Sequence, residues 1–149
     1  MKILGIIPAR GGSKSVPRKN IKILGGQPLI SYTIQEAFKS KFINRLLLTT
    51  DDDEIAAVAQ NLDVEVPFLR PKALALDGVT DLPVFQHCLK WLEQEEGYIA
   101  DLVVHLRPTA PLRTAKHIDK AISIILEDSS LDSVRSVCEA GQHPLKMWA

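Results

Sequence analysis

Lys2-Ile-Leu-Gly-Ile-Ile-Pro8 runs directly into Ala9-Arg-Gly-Gly-Ser-Lys-Ser-Val-Pro-Arg-Lys-Asn20. The first stretch is a short, continuous apolar run. Its length and β-branched residues predict a strand buried on both faces. The second predicts a long loop reaching Gly26, rich in Gly, Ser, Lys and Pro. A strand buried on both faces belongs to a mostly parallel sheet covered by helices on both sides. In such sheets ligands bind just beyond the carboxyl ends of the strands. The residues after Pro8 are therefore the first place to look for chemistry.

The rest of the chain repeats the alternation. Leu29, Ile30, Thr33, Ile34, Ala37 and Phe38 recur at helical spacing. Arg45–Thr50 predicts a second buried strand. A helix carrying Ile55, Val58, Ala59 and Leu62 follows, with Asp51–Asp53 at its N-terminus. Val64–Leu69 predicts a third strand. Leu82, Val84, Phe85, Cys88, Leu89 and Leu92 mark a helix that Asp81 or Thr80 could cap, with Pro83 in its first turn. Asp101–Leu106 predicts a strand, Thr114–Leu126 a helix, and Ser133–Val137 a last strand. The expected class is α/β, as one domain over residues 1–149, with no repeat and no linker. Met147 and Trp148 are apolar and want cover, so the chain reads as the front part of a longer polypeptide.

With 149 residues, the chain is long enough to bury a core unaided, since a compact chain of this size buries roughly 68–70% of its unfolded surface. It is 46% hydrophobic and 24% charged, which excludes a disordered chain, a collagen and a coiled coil. Lys plus Arg and Asp plus Glu are both 18, so the net charge is zero. That argues against bulk-charge binding to nucleic acid or membrane. Two Trp, two Tyr and four Phe make a thin base-stacking platform. The apolar start Ile3–Ala9 is too short to span a membrane and, with Arg10 behind it, is a poor signal peptide. Cys88 and Cys138 form no CxxC pair and read as small buried residues, so a reducing cytoplasm is the default.

Neutrality hides an asymmetry. Residues 1–35 carry Lys2, Arg10, Lys14, Arg18, Lys19 and Lys22 and no acid, whereas Asp51-Asp-Asp-Glu54 come as a run. A purely basic first fifth points to a local anion site. Gly11 and Gly12 permit a tight turn and close approach to a ligand, and successive free amides there could form an anion nest. Arg10, Lys14, Arg18 and Lys19 would add positive charge around it. The loop is neither GxxxxGK[ST] nor GxGxxG. It reads as a polyphosphate cradle or as a solvated, flexible basic loop. Phe68-Leu-Arg-Pro71 and Val104-His-Leu-Arg-Pro-Thr109 each leave an arginine, Arg70 and Arg107, at the rim of the sheet. Two forks aimed at one crevice suit phosphate or carboxylate, and ordinary loop arginines are the other reading. Asn20, Thr80 and Thr109 could hydrogen-bond a base or ribose. Asp51–Glu54 could hold Mg²⁺ or simply open a helix. His87, His105, His117 and His143 lack zinc spacing, and no GxSxG elbow supports a serine hydrolase.

Together these blocks resemble a known family. Ile7-Pro-Ala-Arg-Gly-Gly-Ser-Lys14 with Pro17-x-Lys-Asn20 is similar to the opening signature of the acylneuraminate cytidylyltransferases, or CMP-sialic acid synthetases. Thr49–Glu54, Val64–Pro71 with Leu74–Asp77, Leu106–Arg113 and His143–Lys146 resemble the family's later blocks, in the same order. The resemblance implies a three-layer, Rossmann-like nucleotide-diphospho-sugar transferase fold. It implies transfer of a cytidylyl group from CTP to a sialic-acid-like nonulosonic sugar, giving CMP-sugar and pyrophosphate. Arg10, Ser13, Lys14 and Lys19 would then hold the triphosphate, with Arg10, Lys14 and Lys19 carrying the catalysis. Ala9, Gly11 and Gly12 would bring backbone against the nucleotide, Asn20 and Arg70 would contact cytosine, and Thr80 would sit near the nucleoside. Arg107 and Thr109 would face the nucleotide–sugar junction, with Arg113 supporting their loop. Mg²⁺ is the implied cofactor, and a homodimer the implied assembly of the full-length form. Ser15 stands where the family usually has Gly, Arg107 where the sialic acid enzymes often have Gln, and Asp77-Gly-Val-Thr-Asp81 where Asp-Thr-Ala-Ser-Ser is usual. The alternatives are a related enzyme for another base or sugar, such as a guanylyltransferase or a 3-deoxy-manno-octulosonate cytidylyltransferase, and a non-catalytic nucleotide-binding fragment.

Overall fold

β1 (Ile3–Pro8) is the centre of the molecule because it has no polar side chain to expose. A computed structural model describes residues 1–137 and residue 139. After β1 come a short 3-10 turn, Lys19–Ile21, and a two-stranded hairpin, β2 (Ile23–Leu24) with β3 (Gln27–Pro28). Then follow α1 (Leu29–Phe38), β4 (Arg45–Thr49) and α2 (Asp53–Gln60). A second 3-10 turn, Lys72–Ala75, leads to α3 (Asp81–Glu96), β5 (Leu102–His105) and α4 (Ala115–Glu127).

The main sheet runs β4-β1-β5, all parallel. Ile6 lies opposite Leu47 on one side and His105 on the other. Alternation along β1 builds two cores. Ile3 and Ile7 pack with Ile30 and Ile34 of α1, Ile55 of α2 and Ile118 and Ile122 of α4. Leu4 and Ile6 pack on the other face with Leu47, and with Cys88 and Leu92 of α3. Fully burying one such aliphatic side chain contributes about 1.5–3 kcal/mol. Helices therefore cover both faces of a parallel sheet, as the sequence predicts.

Three segments differ from expectation. Val64–Leu69 is not a continuous strand but two parallel bridges, Glu65 to Leu47 and Leu69 to Thr50. Pro67 lies between them and has no N–H to give to a ladder. Ser133–Val137 is not a strand; it is largely exposed, and Val137 is 90% exposed. With only two apolar residues it has no face to bury. The long loop contains structure of its own. Gly25 and Gly26 take φ of +56° and +93°, the two positive values that a tight two-residue hairpin loop requires. Cys138, the block His143–Lys146, Met147 and Trp148 lie outside the described residues.

Candidate functional site

The chain leaves β1 through α1 on one face and reaches β5 through α3 on the other, so β4 and β5 flank β1 on opposite sides. This is the topological switch point at which open α/β sheets hold ligands. A cleft of about 420 Å³ opens there. Pro8 at the end of β1 forms its floor, with Arg10, Ser13, Lys14, Lys19 and Asn20 from the loop after β1. Arg70 joins from beyond β4, and Arg107, Pro108 and Thr109 from beyond β5. Leu74, Leu76 and Val79 supply an apolar wall, and Asp77 and Asp81 face the cations.

Five cations and two carboxylates thus line the cleft, and the carboxylates are already paired. Asp77 bridges Arg10, at 2.9 Å, and the Lys14 ammonium. The hydrogen bond from Lys14, and then the charge of Arg10, hold the Asp77 carboxyl below the usual range. Arg10 Nη1 also donates to the Ala75 carbonyl at 3.3 Å. On the other wall, Arg107 Nη2 donates to Asp81 Oδ2 at 2.5 Å, with His105 Nε2 at 3.6 Å from the same oxygen. Burial pushes the His105 imidazole down and Asp81 opposes it. Sequence reading did not place either aspartate in a site, because each acts on residues distant in the chain.

Arg70 is the most buried cation, with its side chain only 3% exposed. Neither its Nε nor its Nη2 has a hydrogen-bond partner among the described residues. Its nearest carboxylate is Asp51, at 3.7 Å. Burial lowers the guanidinium pKa and Asp51 opposes that, yet an arginine remains charged. Beneath it the Cys88 thiol is pushed up to about 11 by burial. It stays protonated and is no nucleophile. Asn20 is buried and its Nδ2 donates to the Arg10 carbonyl at 2.9 Å, holding the loop's shape.

Other expected residues lie around the cleft rather than on its wall. Ala9 is fully buried, and its N–H donates to the Thr49 carbonyl at 3.0 Å. The amide nest is largely spent: Gly11 N–H donates to Asp51 Oδ1 and Ser13 N–H to the Gly11 carbonyl. Arg18 does not face the cleft. It pairs with Asp52 at 2.5 Å and with Glu54. Thr80 is exposed at the start of α3 and does not line the cleft. Arg113 Nη2 donates to the Arg107 carbonyl at 2.9 Å, bracing that loop from behind.

The Asp51–Glu54 run is engaged in the same way. Asp51 binds the loop, Asp52 accepts the Glu54 and Ile55 amides as the cap of α2, and Glu54 pairs with Arg18. No group of three or more His, Cys, Asp or Glu side chains among the described residues could hold a metal. Of the two readings of this run, the structure shows the helix start, with Asp51 anchoring the loop.

The chain is 41% identical over 130 residues to the pseudaminic acid cytidylyltransferase of Campylobacter jejuni, covering 87% of this chain and 56% of that protein. It is 38% identical over 124 residues to the CMP-N,N'-diacetyllegionaminic acid synthase of Legionella pneumophila, covering 83% of this chain and 53% of that protein. The chain thus spans about half the length of the curated relatives it matches. Its fold superimposes on a CMP:2-keto-3-deoxy-manno-octonic acid synthetase complexed with CTP, at a TM-score of 0.72, covering 88% of this chain and 50% of that one. Identity there is 19%, so the likeness is one of fold. The sheet order, the cleft at its switch point and a cytidylyltransferase family model matching residues 4–145 agree, and the chain belongs to the cytidylyltransferases.

Proposed function

We propose that the cleft binds CTP and that the protein transfers its cytidylyl group to a sialic-acid-like nonulosonic sugar, releasing pyrophosphate. The observation that carries this reading is the convergence of Arg10, Lys14, Lys19, Arg70 and Arg107 on one cleft at the switch point. Family membership supplies the reaction class. The sugar's anomeric hydroxyl would attack the α-phosphorus, and the bond to the pyrophosphate oxygen would break. Arg10, Lys14 and Lys19 would hold the triphosphate and take up charge on the leaving pyrophosphate. Asn20 and Arg70 would face the base. Arg107 and Thr109, on the opposite rim, would face the sugar. Such a site works by positioning and charge neutralisation.

Magnesium, the cofactor of this reading, would offset charge on the phosphates. The reading places the reaction in the cytoplasm and makes the full-length form a homodimer. The buried, unpaired Cys88 suits a reducing compartment. Among the described residues no helix is long and apolar enough to cross a membrane.

Thermal unfolding with CTP, GTP, UTP and ATP, each with and without Mg²⁺, tests the reading. A ligand at 100 times its Kd adds about 2.7 kcal/mol. The expected result is a shift selective for CTP and lost in Lys19→Ala. Equal shifts with all four nucleotides would remove the assignment of the base. No shift with any of them would remove the nucleotide site.

A further inference from the structure

We infer that Asp51 is the positioning residue of this cleft: one carboxylate that ties the glycine loop to buried Arg70, and so sets the triphosphate and base subsites relative to each other. The inference rests on the CTP reading above.

The two things it joins come from different strands. Gly11 follows β1, and its N–H donates to Asp51 Oδ1 at 3.0 Å. Arg70 comes from the bridge segment beside β4, and its Nη2 lies 3.7 Å from the same Oδ1. The backbone repeats the connection, since Arg70 N–H donates to the carbonyl of Thr50 at 2.7 Å. Arg70 makes no other ion pair among the described residues, and its Nε and Nη2 lack hydrogen-bond partners. A buried guanidinium is costly unless a carboxylate opposes it. Asp51 therefore answers a need of Arg70 and of Gly11 with one oxygen. Asp52 closes the arrangement from behind. A Cβ at Gly11 would lie 2.6 Å from Asp52 Oδ2, so the loop sits directly on these acids.

Asn and Ala at position 51 separate the two connections. Asn keeps an oxygen for Gly11 N–H and removes the charge opposite Arg70. Ala removes both. Calorimetry on the 149-residue chain would measure CTP and inorganic triphosphate, and NMR would measure exchange of the Gly11 amide without ligand. In Asp51→Asn the Gly11 amide is expected to stay protected and triphosphate affinity to hold within about twofold, while CTP affinity falls about tenfold or more. In Asp51→Ala the Gly11 amide exchanges freely and both affinities fall about tenfold or more. CTP and triphosphate affinities within twofold of wild type in both variants would overturn the proposal. So would a wild-type Gly11 amide that exchanges as fast as an unbonded one. Should Asp51→Ala fail to fold, the ratio of CTP to triphosphate affinity in Asp51→Asn decides alone. A wild-type chain that binds triphosphate but not CTP sinks the base assignment instead, and Gly11 exchange still decides the role of Asp51.

Discussion

Asp77 is the side chain that occupies the cations of the cleft wall. It pairs with Arg10 and Lys14, so on the proposed reading a triphosphate would displace it. Asp77→Asn is expected to tighten binding of inorganic triphosphate roughly two- to fivefold, with the gain shrinking as salt is added. Titration calorimetry would show it, and weaker binding by the variant would mean that Asp77 helps hold the ligand. The cations of the site were legible because a rule of fold places them: Arg10, Lys14, Lys19, Arg70 and Arg107 all follow predicted strand ends. Their partners were not. Nothing local about Asp77, 67 and 63 residues from Arg10 and Lys14, marks it as facing them. The Asp51–Glu54 run was readable as a helix start, but its ties to Gly11 and Arg18 were not, since those partners lie more than 30 residues away in the chain.

At the level of elements, two helix starts are held by acids, and each makes a measurable claim. Asp52 caps α2 through the Glu54 and Ile55 amides and pairs with Arg18. Burial works against its charged form, but Arg18 and the capped amides prevail and leave its pKa below the ordinary 3.8. The stability this gives is therefore complete above that ordinary value and drains as pH falls through the lowered one. Asn caps a helix about as well as Asp, so Asp52→Asn isolates the charge. Urea unfolding should separate the two proteins at about pH 7, with the gap closing progressively as pH falls below the ordinary carboxylate range. Glu36, in α1, accepts the Ala115 N–H at the start of α4 at 2.7 Å. Glu36→Ala should cost about 1 kcal/mol in the same assay. The helices were readable from their period and the long strands from short, continuous apolar runs. The hairpin β2–β3 was not, because a two-residue strand has no period to read. Val64–Leu69 showed the opposite failure: an apolar pattern that Pro67 interrupts.

Taken whole, the molecule is neutral, with 18 basic and 18 acidic residues, while its cleft holds five cations against two carboxylates. Triphosphate affinity should therefore fall by about tenfold or more between roughly 0.05 and 0.5 M salt, despite the zero net charge. A flat salt dependence would show that the paired aspartates cancel the field. Sheet order explains why so dense a site fits a small chain, because β1, β5 and the bridged segment ending at Leu69 deliver their following loops to one edge. It also joins two stretches of sequence that a gene keeps apart. Gly11 sits against Asp51 and Asp52, and Arg18 reaches Asp52 and Glu54. For directed evolution this means the loop cannot be treated as a free cassette. A library that randomises residues 10–18 alone will be mostly dead, whereas one that varies 11, 18, 51, 52 and 54 together will hold viable combinations that no single step can reach.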